Sequence, residues 1–115
     1  MSVILLGVTA DEVRALNQSF GGTRQLNSTV ETVFQSAMYV PSFWEKVSIV
    51  VRSVAGGHLF DNGNKRTAFE AVKLFRKRNN IFTGTHDAQL RETVRLVATH
   101  LLSDVEQIAV SLRGF

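Results

Sequence analysis

The order of apolar and polar positions predicts a chain built mainly of helices. Several segments begin with a hydroxyl residue followed three positions later by Glu, the capping-box pattern of a helix start. Apolar residues then recur three and four positions apart, as in helices with one buried face. The predicted starts are Thr9, Ser28, Ser42 and Ser103, and Asp87 is predicted to cap a further helix. The predicted fold class is all-α, a compact bundle of about six helices.

Two segments of the chain depart from the pattern of a helix with one buried face. The valine-rich run 47–54 would suit a buried strand, but the cap at Ser42 and the length of the segment favour a helix. A helix is also predicted from about Asn64 to Arg78, and its apolar residues point to more than one side, which indicates a central element. Strands are expected only at Val3–Leu6 and around 39–40.

Composition narrows the classes of function. A chain of 115 residues predicts a single domain, residues 1–115. It has no cysteine, which excludes disulfides and thiolate zinc sites, and its three histidines lack zinc-ligand spacing. The net charge of +3 allows a polyanionic ligand but does not favour direct nucleic acid binding. The apolar start 1–7 is too short to span a membrane and lacks a basic leader, so we expect a cytoplasmic protein.

Residues 56–66, Gly-Gly-His-Leu-Phe-Asp-Asn-Gly-Asn-Lys-Arg, interrupt the apolar pattern between two helices. Gly63 permits an unusual backbone angle before the helix that starts near Asn64, and the free amides of that helix form a nest for an anion. Lys65 and Arg66 add two charges at the same place, one a point charge and the other a planar fork. We therefore expect phosphate binding here.

Three more residues of the stretch give it catalytic potential. His58 can accept a proton near pH 7, which suits a general base for a hydroxyl. Asp61 would repel a bare phosphate but makes sense beside a magnesium ion. Phe60 is expected to turn inward as an anchor and to aim its polar neighbours outward. Each residue also has a simpler interpretation. In it, His58 is an ordinary loop residue, Asp61 or Asn62 caps the following helix, and the two cations lie on a solvent-exposed helix face.

Residues 58–66 resemble the signature of the Fic/Doc family, His-x-Phe-x-(Asp/Glu)-(Gly/Ala)-Asn-(Gly/Lys)-Arg. Every specified position matches except the fifth, where Asn62 replaces the acid. Thr67-Ala68 and residues 74–79 are similar to the helix that follows the motif in Doc toxins. The resemblance implies an all-α fold and transfer from ATP, with Mg²⁺, to a protein hydroxyl.

Two chemistries compete within that family. Fic AMP-transferases carry Gly and a second Arg where this chain has Lys65 and Phe69. Doc toxins share the Lys and an apolar residue, and they transfer the γ-phosphate of ATP to a threonine of elongation factor Tu. The resemblance therefore implies a Doc-like toxin kinase that arrests translation, with AMP transfer as the alternative. A non-catalytic basic helical module that binds nucleotide or nucleic acid is the further alternative.

By position in the motif, the resemblance implies that His58 is the base and that Asn62, with Asp61 beside it, meets magnesium. It places Gly63, Asn64, Lys65 and Arg66 at the phosphates, and residues 36–42 in a flap that pairs with the target as a strand. No Ser or Thr is followed four residues later by Glu, the pattern of a self-inhibitory helix. A cognate antitoxin in trans, similar to Phd, is therefore expected.

Overall fold

The computed structural model describes residues 3–114, so Met1 and Ser2 of the predicted apolar start and Phe115 lie outside the described residues. The elements are a short antiparallel hairpin and a set of helices. They are β1 (Ile4–Leu5), β2 (Val8–Thr9), α1 (Ala10–Ser19), α2 (Val30–Ala37), α3 (Phe43–Val51), a π-helical turn (Arg52–Gly56), α4 (Asn64–Arg78), α5 (Asp87–Ala98) and α6 (Val105–Arg113). The predicted all-α bundle is confirmed.

Helix α4 is the central element, as its apolar residues on several sides predict. It packs against α1, α3, α5 and the π-helical turn, and α3 also packs against α2 and α6. The buried residues of α4 are Thr67, Ala68, Phe69, Ala71, Val72 and Phe75. The valine-rich run also lies in a helix, because neighbours on several sides bury all of residues 47–51 and this packing outweighs their strand propensity.

Two of the predicted caps are present. The amide of Glu12 donates to Thr9 Oγ1 over 3.1 Å and the amide of Thr9 donates to Glu12 Oε1 over 2.9 Å, so the first capping box is complete. At α3, the amide of Glu45 donates to Ser42 Oγ over 3.1 Å. These contacts fix where α1 and α3 begin.

Three other predicted caps were wrong by one residue. Helix α2 is capped by Thr29 rather than Ser28, because Thr29 Oγ1 accepts the amide of Thr32 over 3.1 Å. Asp104 rather than Ser103 precedes α6, without a side-chain cap. Asp87 is the first residue of α5, not its cap, and its carboxylate pairs with Lys73.

The strand predictions have mixed outcomes. A strand is present within Val3–Leu6, but the one expected around 39–40 is wrong. Lys46 Nζ donates to the carbonyl oxygens of Ala37, Met38 and Val40, so it satisfies acceptors that a strand would pair. The segment 36–42 is accordingly the end of α2 and a turn, and it contains no strand that could act as the expected flap. No helix within residues 3–114 is both long and apolar enough to cross a membrane.

Candidate functional site

The polar stretch joins the π-helical turn to α4. His58 follows this turn in a left-handed conformation, with φ of +46°, and its side chain is exposed. Phe60 is buried at 2% exposure and pairs with Gln25 in an isolated β-bridge. Buried Phe60 therefore separates the exposed side chains of His58 and Asp61. A left-handed non-glycine residue is a strained feature that often accompanies a functional site.

The N-terminus of α4 has no side-chain cap. Gly63 occupies the cap position with φ of +70°, and Asn64 turns its side chain back into the loop. Its amide donates to the carbonyl of Phe60 over 2.8 Å and accepts from the amide of Phe60 over 3.0 Å. Asn64 thus shapes the loop, and the first backbone N–H groups of α4 are left for a ligand.

A cleft of about 420 Å³ brings the predicted residues together. That volume lies within the range typical of small-molecule sites. The cleft is lined by Ala55, His58, Asp61, Asn62, Gly63, Asn64, Lys65, Arg66, Ala98 and Thr99. Its walls therefore combine an exposed imidazole, an uncapped helix N-terminus and two cations.

The two cations of the cleft are available to a ligand. Lys65 and Arg66 are exposed, and neither forms an ion pair within residues 3–114. The guanidinium carbon of Arg66 lies 4.5 Å from the centre of the Phe20 ring, which orients the side chain without neutralising it. This arrangement favours an anion with several oxygens.

Asp61 ties the loop after α1 to the site. Its carboxylate accepts the amides of Thr23 and Arg24, over 2.8 and 3.2 Å, and the Thr23 hydroxyl. These hydrogen bonds, led by the one from the Thr23 hydroxyl, lower the pKa of Asp61 to about 2. Both carboxylate oxygens of Asp61 therefore have partners within the protein.

The described residues do not form a ready magnesium site. Asp61 is engaged by Thr23 and Arg24, and Asn62 Oδ1 accepts the amide of Gly63 over 2.9 Å. Among residues 3–114 no three His, Cys, Asp or Glu side chains are grouped for a metal ion. Magnesium is usually held by one or two carboxylates together with substrate phosphates, so these hydrogen bonds of Asp61 and Asn62 compete with metal binding.

The lowered pKa of Asp61 predicts how its contribution to stability depends on pH. The pKa falls from 3.8 to about 2 in the folded state, so the contribution is fully present above about pH 4 and is lost as the pH falls through about 2. The difference in melting temperature between wild type and Asp61→Asn should therefore shrink over this window. Thermal unfolding at a series of pH values measures it, and a difference that stays constant down to pH of about 2 would contradict the assignment.

A buried side-chain amide on α1 hydrogen-bonds to the loop that precedes α4. Asn17 is 1% exposed, and its Nδ2 donates to the carbonyl of Asn62 over 2.7 Å and to Thr67 Oγ1 over 3.2 Å. Thr67 in turn donates to the carbonyl of Gly63 over 2.8 Å. Sequence reasoning missed Asn17, although it lies at helical spacing from buried Ala10 and Val13.

Replacing Asn17 with alanine should lower the free energy of unfolding by about 1–3 kcal/mol, because it removes the amide that donates to the carbonyl of Asn62. Urea denaturation measures the change. Gln18→Ala is the matched control, since Gln18 is exposed on the same helix, and we expect a change within about 0.5 kcal/mol. Equal effects of the two substitutions would show that the Asn17 contacts do not hold the loop.

A second histidine lies beside the first. The ring centres of His58 and His100 are 6.2 Å apart, and His100 also has a left-handed backbone, with φ of +63°. His100 follows α5, so only the packing of α5 against the π-helical turn brings the rings together. No local pattern in the sequence could have found this pair.

Part of the chain is similar to a known protein. No family model matches the chain. The chain is 30% identical over 76 residues to a curated protein of Mycolicibacterium smegmatis, and the match covers 65% of this chain and 58% of that protein. The chain therefore spans less than two thirds of the length of its relative. That relative, to which the chain is similar, is named Toxin Doc.

Proposed function

We propose that the protein is a Doc-like toxin that transfers the γ-phosphate of ATP to a hydroxyl of a translation factor, with elongation factor Tu as the expected target. The observation that carries the proposal is one cleft that holds exposed His58 beside the uncapped N-terminus of α4 with Lys65 and Arg66. An anion nest next to a general base is what phosphoryl transfer to a hydroxyl requires.

The proposed step uses the groups of the cleft as follows. The target hydroxyl oxygen attacks the γ-phosphorus, and the bond from that phosphorus to the bridging oxygen breaks, so that ADP leaves with the electron pair. The hydroxyl proton passes to an imidazole nitrogen of His58, which later returns it to water. Lys65, Arg66 and the first amides of α4 stabilise charge on the phosphate oxygens.

Magnesium enters this proposal only as a companion of the ATP phosphates, with Asp61 and Asn62 as the side chains of the cleft that the motif assigns to it. Mg²⁺ commonly binds through substrate phosphates and keeps several waters. The roles proposed for His58, Lys65 and Arg66 do not depend on the ion. The carboxylate of Asp61 and the side-chain oxygen of Asn62 already accept hydrogen bonds within the protein.

The partners in this proposal are the protein target and a cognate antitoxin, which we expect to resemble Phd. The similarity to a protein named Toxin Doc supports the assignment to a toxin–antitoxin system. The name of that protein does not state which reaction it catalyses. We therefore propose separately that the toxin is a kinase, on the basis of the cleft and of Lys65 and Phe69.

Incubation of the protein with elongation factor Tu and ATP labelled in the α- or γ-phosphate tests the proposal. The expected result is transfer of the γ-label alone. Transfer of the α-label would replace phosphorylation with AMP transfer. No transfer of either label, with salt-dependent binding of nucleic acid, would favour the non-catalytic alternative.

A further inference from the structure

His58 and His100 are two exposed imidazoles that lie close together although they are far apart in the sequence. Their ring centres are 6.2 Å apart, and the planes of the rings are inclined by 63°. Two imidazoles that share one Zn²⁺ ion, each through a nitrogen about 2.0–2.1 Å from the metal, have ring centres roughly 5–6 Å apart. Because exposed side chains rotate readily, small rotations of the two rings suffice to bring a nitrogen of each to one ion.

The backbone holds both residues in fixed positions at the ends of helical segments. His58 follows the π-helical turn and His100 follows α5, and both have left-handed backbones, with φ of +46° and +63°. The amide of His100 donates to the carbonyl of Val97 over 3.1 Å, and the amide of Leu59 donates to the carbonyl of Val54 over 3.3 Å. A shared ion would therefore have to order only the two side chains.

Close packing of α5 against the π-helical turn sets the distance between the two rings. Gly56 is buried beside Val97, and a Cβ atom at residue 56 would lie 3.3 Å from the carbonyl oxygen of Val97. Any larger residue would crowd this contact. The absence of a side chain at Gly56 thus lets the two histidine-bearing segments approach each other.

The donor set favours a transition metal over magnesium. Imidazole nitrogen suits Zn²⁺, whereas Mg²⁺ prefers oxygen ligands. Within residues 3–114 no third His, Cys, Asp or Glu joins the pair in a metal-binding group, so water would fill the remaining tetrahedral positions. Lys65 and Arg66 line the cleft with His58 and repel a cation, whereas Asp61 attracts one. We therefore expect micromolar affinity, far weaker than that of a structural zinc site.

We propose that His58 and His100 form a two-imidazole site for Zn²⁺, and that the ion inhibits the protein by occupying its general base. The site stands on the geometry of the pair, and the inhibition rests on the proposed function. In a neutral imidazole one nitrogen carries a proton and the other accepts one. When Zn²⁺ takes the lone pair of the accepting nitrogen, the ring of His58 can no longer accept the proton of a target hydroxyl.

Calorimetric titration of the nucleotide-free protein with zinc chloride tests the site. Wild type should bind a single ion per chain, and His58→Asn and His100→Asn should each bind at least about tenfold more weakly. Asn is used because it tolerates a left-handed backbone, so we expect both variants to fold. His86→Asn is the matched control, since His86 is an exposed histidine outside the pair, and it should bind as wild type does.

Weaker binding in both pair variants but not in the control supports the site. Wild-type affinity in either pair variant, an equal loss in the control, or a dimer that forms only with Zn²⁺ in size-exclusion chromatography would overturn it.

Transfer of γ-phosphate at a fixed concentration of free Zn²⁺, held by a metal buffer, tests the inhibition. Wild type should lose activity, whereas His100→Asn, which keeps His58, should remain active. Equal activity of wild type with and without saturating Zn²⁺ would overturn the inhibition. Failure of wild type to transfer phosphate without Zn²⁺ would overturn the proposed function but leave the calorimetric result in place.

Discussion

Replacing His58 with alanine is expected to lower the rate of γ-phosphate transfer by about 100- to 10,000-fold, the usual contribution of a general base. His58 is the imidazole that lines the cleft beside the uncapped end of α4, and its side chain is exposed to an incoming hydroxyl. ATP affinity should change little, because the phosphates are assigned to Lys65, Arg66 and the helix amides. Single-turnover transfer of labelled phosphate separates the two quantities.

His86→Ala is the matched control for this experiment. His86 is an exposed histidine that precedes α5 and is absent from the residues that line the cleft. It should retain the wild-type rate. A His58→Ala variant that also retains the wild-type rate would remove His58 from the mechanism and leave the cleft as a binding site.

Replacing Gly63 with alanine is expected to lower the free energy of unfolding by about 2–4 kcal/mol. The backbone there has φ of +70°, and a Cβ atom would lie 2.6 Å from the carbonyl oxygen of Phe20. Strain and a backbone clash therefore add together, and relief of either would move the start of α4. Urea denaturation monitored by circular dichroism measures the loss.

Gly21→Ala provides the control for conformational strain without the clash. Gly21 has φ of +93°, but the nearest atom to a Cβ there, in the Asn62 side chain, is 4.0 Å away. The expected cost is about 1–2 kcal/mol. Equal losses in the two variants would mean that contact with Phe20 does not fix the position of α4.

The parts of the fold that follow from local chemistry could be predicted from the sequence. The bounds Asn64–Arg78 of α4 are confirmed, because apolar spacing between Gly63 and the Asn79-Asn80 pair fixes both ends. The box at Thr9 is also confirmed. The predicted cap at Ser28 was wrong, because the adjacent hydroxyl residue Thr29 can cap the helix equally well and accepts the amide of Thr32.

The site shows a similar division between local and tertiary information. The motif identified a run of polar residues that lines one cleft. It could not reveal that Thr23 and Arg24 engage Asp61, since these contacts join the loop after α1 to the loop before α4. It also could not reveal buried Asn17 or the neighbouring ring of His100. Each of these contacts depends on helix packing, which no local pattern encodes.

The most direct test of the central claim is a crystal structure of the protein with a non-hydrolysable ATP analogue. We expect the γ-phosphate to lie beside His58, with the other phosphates on Lys65 and Arg66. An analogue whose α-phosphate lies beside His58 would contradict the proposed transfer of the γ-phosphate.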